Sequence, residues 1–330
     1  MVFGKKKGGG SGTTIFYATD LHGSTTCFKK FINAAVYYTA KGRPIDVAIM
    51  GGDVAGKLIV PIVHEDGHFR SHLTGMDYDM TTEAELAAFR KSCDTLGVYP
   101  YVFEPGEYQA FASDKARQDA LFHEVVLARL REWVEWADER LEGQPFTCYV
   151  SPGNDDFWEV DPILASAEHI VVPDGRCLRI DEEHEMISSG LSNVTPFNCP
   201  RDLPEDVLLD KLEALAAQVE DMSRCVFNFH VPPYASGIDD APALDEQLRP
   251  QIGPQGVVTE PVGSRSVRSM IERHQPLLTL HGHIHESRGQ ATIGRTLCLN
   301  PGSEYSEGVL RGLIVTIEGD KVVSHQMTSG

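Results

Sequence analysis

The sequence of 330 residues lacks the features that would send a chain to a membrane or into the secretory pathway. It contains no apolar run of about 18 residues or more, so we expect no membrane-spanning helix. Its first 12 residues include basic side chains but no apolar stretch behind them, which is not typical of a secretory signal. We therefore expect residues 1–12 to be a flexible leader outside the fold and the protein to be cytoplasmic.

Paired cysteines and basic side chains are also scarce. The 7 cysteines include no Cys-x-x-Cys pair, and an odd number without a signal sequence argues against a disulfide framework. Only 29 lysines and arginines accompany 48 acidic residues, which gives a net charge of −19. A surface of this sign repels a phosphate backbone, so we do not expect long DNA or RNA as a partner.

The composition, with 42% hydrophobic and 23% charged residues, is typical of a soluble globular protein. Apolar runs that suit strands alternate with stretches of helical periodicity at 29–42 and at 113–143, where Ser113 is the expected N-cap. The segments 177–192 and 312–327 predict two hairpins and hence a second sheet. We expect one domain over residues 13–330.

An apparent insertion at 57–112 interrupts this alternation. Within it, 58–75 predicts a hairpin, 81–97 a helix and 98–111 a loop. Loops above the ends of strands commonly carry specificity, so we expect the insertion to form a small cap that helps to select the substrate.

Metal-binding side chains follow five predicted strands. In chain order they are Asp20 and His22, Asp53, Asn154, His230, and His283 with His285, and two further carboxylates, Asp155 and Asp156, come directly after Asn154. Open α/β sheets bind ligands at the carboxyl ends of their strands, so we expect these side chains to meet. Mixed imidazole and carboxylate donors favour Mn, Fe, Zn, Co or Ni over Mg or Ca. The sequence therefore predicts a centre for two transition-metal ions.

Such a centre has a characteristic chemistry. A carboxylate such as Asp53 can bridge two cations about 3.5–4 Å apart, and a hydroxide bound there is a nucleophile at neutral pH. We therefore expect water rather than a serine or cysteine to attack the substrate. This predicts a dinuclear metal-dependent phosphoesterase that hydrolyses a small-molecule or nucleotide phosphoester.

Five short motifs in this order resemble the calcineurin-like metallophosphoesterase superfamily over residues 14–303. They are Asp-Leu-His at 20–22, Gly-Asp at 52–53, Gly-Asn-Asp at 153–155, the histidine at 230 and Gly-His-Ile-His at 282–285. Within the superfamily, 263–289 and 299–303 resemble the bacterial and archaeal branch related to cyclic-nucleotide phosphodiesterases. The resemblance implies a four-layer α/β/β/α sandwich of two mixed sheets, with the metals at the carboxyl ends of the strands.

The resemblance also implies which residues hold each cation, with manganese or iron favoured. One cation would be bound by Asp20, His22, Asp53 and His285. The other would be bound by Asp53, Asn154, His230 and His283. Asp53 would then be the bridge between the two cations.

One position departs from the superfamily pattern. The superfamily usually has a histidine after Gly-Asn that contacts the phosphate and protonates the leaving oxygen, whereas this chain has Asp155. An ionised aspartate repels a phosphate, and loss of a general acid matters least when the leaving group departs easily as an anion. Phosphodiesters should therefore be better substrates than alkyl monoesters, with Asp53, Asn154, Asp155 and Asp156 as catalytic candidates. Alternatively, Asp155 points away and His281 or a histidine of the cap donates the proton.

Several alternatives stay open. The fold could serve a binding or scaffold protein with little turnover, although a scaffold has no chemical reason to keep seven metal donors. The substrate could be a cyclic nucleotide, a dinucleotide, a glycerophosphodiester or a nucleotide-linked cofactor, and the sequence does not indicate an oligomeric state. His64, His68 and His72 could align as ligands of a third metal on a helix, but Gly67 and the predicted hairpin argue against that geometry.

Overall fold

The structure is a computed structural model that describes residues 12–254 and 256–330. The predicted leader, 1–12, lies outside the described residues apart from Gly12. In chain order the strands are β1 (Thr13–Ala18), β2 (Val47–Met50), β3 (Ile59–Glu65), β4 (His68–Leu73), β5 (Met76–Met80), β6 (Tyr99–Phe103), β7 (Thr147–Val150), β8 (Ile170–Val171), β9 (Cys177–Arg179), β10 (Glu185–Ser189), β11 (Ser192–Asn193), β12 (Asp202–Leu203), β13 (Cys225–Phe229), β14 (Asp240–Pro242), β15 (Ile252–Gly253), β16 (Gly256–Val257), β17 (Thr259–Pro261), β18 (Leu278–Leu280), β19 (Gly289–Ile293), β20 (Thr296–Asn300), β21 (Arg311–Glu318) and β22 (Lys321–Ser329). The helices are α1 (Thr25–Ala40), α2 (Glu83–Leu96), α3 (Pro105–Ala112), α4 (Lys115–Leu141), α5 (Val160–Leu164), α6 (Glu205–Ala216) and α7 (Arg265–His274). No helix in these two ranges has the length and apolar character needed to cross a bilayer.

Two six-stranded mixed sheets form the body of the fold. The first has the order β22-β21-β1-β2-β7-β8, in which β1, β2, β7 and β8 run parallel to one another. Strand β21 pairs antiparallel with both of its neighbours, β1 and β22. The second has the order β19-β20-β18-β13-β10-β9, with its four central strands parallel. Within each parallel set the carboxyl ends of the strands lie at one edge of the sheet, which is where polar loops can converge.

Alternation along the strands creates the layers. On β1, Phe16 packs in the apolar cluster that includes α1 and α4, whereas Tyr17 packs against residues of the second sheet such as Val226. On β13 of the second sheet, Phe227 faces the opposite way, towards α6 and α7. Successive side chains of a strand point to opposite faces, so each sheet buries both of its faces. The predicted four-layer α/β/β/α sandwich is confirmed.

Three of the described helices, α1, α2 and α4, form where the sequence pattern predicts helices, with changed boundaries, whereas α3, α5, α6 and α7 were not predicted from the sequence. In α1 the Ser24 side chain caps the first turn by accepting the backbone N–H of Cys27. Helix α4 begins at Lys115 with Asp114 as its N-cap, and the prediction of Ser113 as the cap is wrong because Ser113 ends helix α3. An aspartate and a serine are equally good caps, so composition alone does not distinguish these neighbours.

The segment 57–112 forms a separate four-stranded sheet of order β5-β4-β3-β6, with α2 packed on its own apolar cluster. The hairpin β3–β4 and helix α2 agree with the sequence prediction. The prediction of a loop at 98–111 is wrong, because β6 pairs in parallel with β3 and α3 begins directly after it. Pro105 occupies the first position of α3, where its missing N–H costs nothing.

The two predicted hairpins do not both belong to the second sheet. The first, β9–β10, does lie there. The second, β21–β22, joins the first sheet because β21 pairs along its length with β1. The hydrophobic pattern of a hairpin does not encode which neighbour its outer strand will find.

A polar cluster ties the two sheets together near these hairpins. His184, before β10, places Nδ1 2.7 Å from Asp181 Oδ2 and donates from Nε2 to the Gly319 carbonyl oxygen at 2.8 Å in the β21–β22 turn. The Thr13 hydroxyl of β1 also donates to Asp181. Burial alone would lower the pKa of His184, but these hydrogen bonds raise it above its ordinary value of 6.5. Burial would likewise raise the pKa of Asp181, but donation from His184 and Thr13 brings it to about 2.

We predict that His184→Gln lowers the free energy of unfolding by about 1–3 kcal/mol at pH 5.5. The loss at pH 8.5 should be smaller. The folded-state pKa of His184 is raised, so its stabilisation is complete below 6.5 and is lost as pH rises through the folded-state value. The stabilisation that Asp181 contributes is present above pH 3.8, and it is lost only as the pH falls towards the folded-state pKa of about 2. Urea titrations at both pH values measure the difference, with the exposed His325→Gln as control. Equal losses at the two pH values would contradict the prediction.

Candidate metal centre

The seven predicted metal donors all lie in loops that directly follow strands. Asp20 and His22 follow β1, Asp53 follows β2, Asn154 follows β7, His230 follows β13, and His283 and His285 follow β18. The first three of these strands belong to the first sheet and the other two to the second. The carboxyl edges of the two sheets therefore meet at one place, and most of the donors there are buried.

The backbone of these loops is unusual. Asp20, His22, Asp53 and His283 have φ values of 54°, 41°, 52° and 66°, in the left-handed region that costs non-glycine residues about 1–3 kcal/mol each. Backbone hydrogen bonds between neighbouring loops hold this conformation, since Asp20 N donates to Gly52 O at 3.0 Å and His22 N to Asp53 O at 2.9 Å. The turns are thus fixed by the surrounding structure, and they aim short side chains at one point.

Six of the donors form two groups of the size that one cation requires. Asp20, His22 and His285 each place one donor atom within 4.8 Å of the others. Asp53, His230 and His283 do the same. Donors of a transition metal lie about 2 Å from the ion, so each group can surround one cation.

The carboxylates of Asp20 and Asp53 each lie close to histidines of both groups. Asp53 Oδ2 lies 3.3 Å from His230 Nε2 in its own group and 3.5 Å from His22 Nε2 in the other. Asp20 Oδ1 lies 3.5 Å from His285 Nε2 and 3.8 Å from His230 Nε2. A carboxylate in reach of both groups is what a bridging ligand requires.

Unpartnered polar atoms test whether the residues fit cations. His230 donates from Nδ1 to the Gly51 carbonyl oxygen at 3.2 Å, which leaves the Nε2 lone pair of its neutral form directed at the cluster. His230 Nε2 and Asn154 Oδ1 are buried and make no hydrogen bond of good geometry to any described residue. Buried acceptors without donors are costly unless a cation completes them. The donor set therefore fits divalent metal ions.

Electrostatics within the cluster points the same way. Burial would raise the pKa of Asp20, but the neighbouring His285 and His230 bring it to about 2, and His230 likewise holds the pKa of Asp53 well below its usual range against the effect of burial. Burial would lower the pKa of His230, but Asp53 and Asp20 raise it to about 9. Burial lowers the pKa of His283 to about 4. The cluster thus holds ionised carboxylates whose charge is balanced by a proton that a cation would displace.

Asp156 is placed differently from the sequence prediction, which made it a catalytic candidate. Its carboxylate is buried and accepts the backbone N–H groups of Gly153, Val54 and Ala55 at 2.7–3.0 Å. Both oxygens are therefore occupied, and Asp156 joins the loop after β2 to the loop after β7. Arg201, which is fully buried, supports the same loop by donating from Nε to the Asp156 carbonyl oxygen at 2.7 Å.

Asp155 lies at the open side of the cluster and does not point away from it. Its Oδ2 is 3.7 Å from His22 Nδ1 and 3.0 Å from the ammonium of Lys57, and its backbone N–H donates to Asp53 Oδ1 at 3.0 Å. Cys199 Sγ lies 3.5 Å from Asp155 Oδ1. Asp155 thus forms an ion pair with Lys57 at the open side of the cluster.

The alternative proton donors considered from the sequence do not join the cluster. His281 is buried and uses both ring nitrogens, Nδ1 with the Phe229 carbonyl oxygen at 2.8 Å and Nε2 with Thr279 Oγ1 at 2.8 Å. The cap histidines also do not converge, because each has its own carboxylate partner. The pairs are His64 with Glu104, His68 with Asp79, and His72 with Asp77.

Three residues near the centre were missed by sequence reasoning: Lys57, Arg201 and Asp202. Asp202 Oδ1 accepts a hydrogen bond from Asn154 Nδ2 at 2.9 Å. Arg201 and Asp202 come 47 and 48 residues after Asn154, in a segment without strand or helix periodicity. Lys57 carried a weak signal, since it follows Asp53 by only four residues.

Comparisons with known proteins agree with the fold and leave the activity open. No protein-family model matches the chain. An uncharacterized protein of Methanocaldococcus jannaschii is 32% identical over 152 residues, which are 46% of this chain and 61% of that relative. The chain thus spans less than two thirds of the length of this curated relative.

Among solved structures, one with 15% identity aligns over 97% of this chain and 98% of its own, with a TM-score of 0.52. That likeness supports the fold alone. A hypothetical protein from Thermus thermophilus (TM-score 0.44, 11% identity, 96% and 99% of the two chains) and a novel phosphatase from Mycoplasma pneumoniae (TM-score 0.45, 10% identity, 97% and 93%) are similar more distantly. These two likenesses carry no functional argument.

We predict that Mn²⁺ raises the thermal stability of metal-stripped protein and that Asp53→Asn removes most of this gain. A ligand that binds only the folded state at 100 times its Kd stabilises it by about 2.7 kcal/mol, and Asp53 is in reach of both donor groups. Thermal unfolding with and without Mn²⁺ measures the gain. Asp46→Asn, directly before strand β2, is the matched control and should keep the gain. An undiminished gain in Asp53→Asn would contradict the assignment.

Proposed function

We propose that this protein is a dinuclear metal-dependent phosphoesterase of the calcineurin-like metallophosphoesterase type. The observation that carries the proposal is the pair of donor groups around Asp20 and Asp53, in which six carboxylate and imidazole side chains from both sheets converge. The motif order of the sequence and the α/β/β/α fold support the same function. Manganese and iron are the proposed metals, because the donors combine four histidines with carboxylates.

The chain's own residues divide the work around the reacting phosphate. When bound, two cations supply an activated water and neutralise charge on the phosphoryl oxygens. Asp53, whose carboxylate is in reach of both donor groups, would be a ligand of both cations. Asn154, whose buried amide oxygen has no hydrogen-bond partner among the described residues, would be a further ligand of the second cation. Lys57, half-exposed at the open side, is the cationic side chain placed to meet a phosphate oxygen.

The aspartate at 155 supports a preference for phosphodiesters and for esters with good leaving groups. Its carboxylate is paired with Lys57 and cannot donate a proton while ionised. Departure of a poor leaving group as an anion is slow without a proton donor, whereas an activated aryl oxygen leaves readily. We propose a small-molecule or nucleotide phosphoester as the natural substrate, selected in part by the cap at 57–112.

A second candidate is a binding protein of the same fold with little turnover. The same aspartate favours it, because a carboxylate beside the substrate position repels phosphate. The complete donor set weighs against it. The two candidates separate in a direct assay.

We predict that Mn²⁺-loaded protein hydrolyses bis(p-nitrophenyl) phosphate faster than p-nitrophenyl phosphate. Asp53→Asn should lower the diester rate by at least about 100-fold, since it removes the carboxylate common to both donor groups. Release of nitrophenolate measures both reactions, with Asp46→Asn as the matched control. Two bound Mn²⁺ ions with neither ester cleaved would favour the binding protein.

We further predict that Asp155→His speeds esters with alkyl leaving groups more than esters with aryl leaving groups. An imidazole at this position adds a proton donor, which matters most for the poorer leaving group. The expected change in the alkyl-to-aryl rate ratio is about tenfold or more. Asp155→Asn is the control, because it removes the charge without adding a donor of suitable acidity. If both variants change the ratio equally, charge repulsion rather than proton donation explains the effect.

A further inference from the structure

We propose that Asp202 sets the orientation of the Asn154 amide and thereby makes Asn154 Oδ1 a donor for the second cation. Asp202 would be a positioning residue, one that never touches the substrate. The inference rests on the proposed function, because it concerns how the chain completes one of the two cation sites.

The Asn154 side chain has only one arrangement that suits its surroundings. It is 1% exposed, and its Nδ2 donates to Asp202 Oδ1 at 2.9 Å. A carboxylate can only accept, so the amide nitrogen must face Asp202 and the amide oxygen must face away from it. That oxygen is buried and makes no hydrogen bond to any described residue. An acceptor in this position is ready for a cation.

The two chain neighbours of Asn154 pack against a residue of the metal cluster. The backbone N–H of Asp155 donates to Asp53 Oδ1 at 3.0 Å. On the other side, a Cβ added to Gly153 would come within 2.1 Å of the same oxygen, so this backbone packs directly on Asp53. Asn154 is therefore held between two residues that touch the carboxylate in reach of both donor groups.

Asp202 cannot turn to relax this arrangement. Its Oδ2 accepts three hydrogen bonds from one loop, from Thr195 N at 2.9 Å, Thr195 Oγ1 at 2.6 Å and Cys199 N at 3.0 Å. Because these donors occupy one oxygen, only the other is left for Asn154. The loop 195–199 thereby fixes the carboxylate, and the carboxylate fixes the amide.

The substitution Asp202→Asn tests this chain of contacts without changing the size of the side chain. The new NH₂ group must face either the three donors of the loop or the Asn154 amide nitrogen. The second arrangement turns the Asn154 amide and presents its N–H groups to the cation. Removal of an outer partner of this kind costs about 10- to 100-fold in metal affinity.

Exchanging the two residues should restore the site. In the double variant Asn154→Asp with Asp202→Asn, the carboxylate at 154 keeps one oxygen for the cation and accepts from the new amide with the other. The amide oxygen at 202 then accepts from Thr195 and Cys199 as the native Oδ2 does. Asn154→Asp alone instead sets two carboxylates against each other at the native 2.9 Å contact, and should unfold at lower temperature than the double variant.

The experiment is calorimetric titration of Mn²⁺ into metal-stripped proteins, together with their thermal unfolding. We expect two Mn²⁺ per wild-type chain, weakening of one of them by about 10- to 100-fold in Asp202→Asn, and recovery to within about threefold of wild type in the exchanged variant. The control is Asp245→Asn, since Asp245 also accepts backbone N–H groups in a loop but lies outside the cluster.

The outcomes separate this inference from the proposed function. Two sites of unchanged affinity in Asp202→Asn would overturn it, and so would Asn154→Asp alone proving as stable as the exchanged variant. If Asp202→Asn fails to fold, a folded exchanged variant with two sites supports the pairing, and failure of that variant too overturns it. A wild-type chain that binds no Mn²⁺ would instead refute the dinuclear centre itself.

Discussion

Two carboxylates, Asp20 and Asp53, are buried beside imidazoles where the two sheets meet, and most other features of the site follow from this placement. Burying ionised groups is costly unless opposite charge lies among them. In the protein alone a proton on His230, whose pKa Asp53 and Asp20 raise to about 9 against the effect of burial, partly meets this need. Divalent cations meet it better, since they replace lost hydration with direct coordination. The fold thus holds together buried negative charges that need positive charge to compensate them.

Holding such groups together requires rigid, tightly turned loops. Four donors lie in the left-handed backbone region, a conformation that persists only when other contacts impose it. Many of the supporting contacts run between loops: Asp156 accepts N–H groups from the loop after β2, and Arg201 donates a hydrogen bond to the loop after β7. The strands bring the loops to the same edge of the fold, and the buried hydrogen bonds between loops fix the positions of the donor side chains.

The layers were predicted from the resemblance to a known superfamily. Three of the seven described helices and the convergence of six metal donors were predicted from hydrophobic periodicity and from the shared edge of parallel strands, which are local properties with a fixed geometric outcome. The sequence was not sufficient for residues whose role depends on distant loops. Asp202 orients Asn154 across 48 positions, and no periodicity announces such a contact. Asp156 was predicted as a catalytic candidate because it follows Asn154, yet its carboxylate accepts the backbone N–H groups of Val54 and Ala55. The residue types indicated the chemistry, but only the paths of the loops show which residues can bind a metal and which hold the loops in position.

The cap is joined to the metal centre through a very short connection. Strand β3 begins at Ile59, six residues after Asp53, and the cap's Tyr99 hydroxyl accepts the Gly56 N–H at 2.8 Å while its backbone N–H donates to Leu58 O at 3.0 Å. The outer surface of the cap is not involved in these contacts between Tyr99 and residues 56–58. Under the proposed function, substitutions on that surface would change which substrate is selected without altering this connection or the donor groups, so that recognition and chemistry would be separately adjustable parts of one chain.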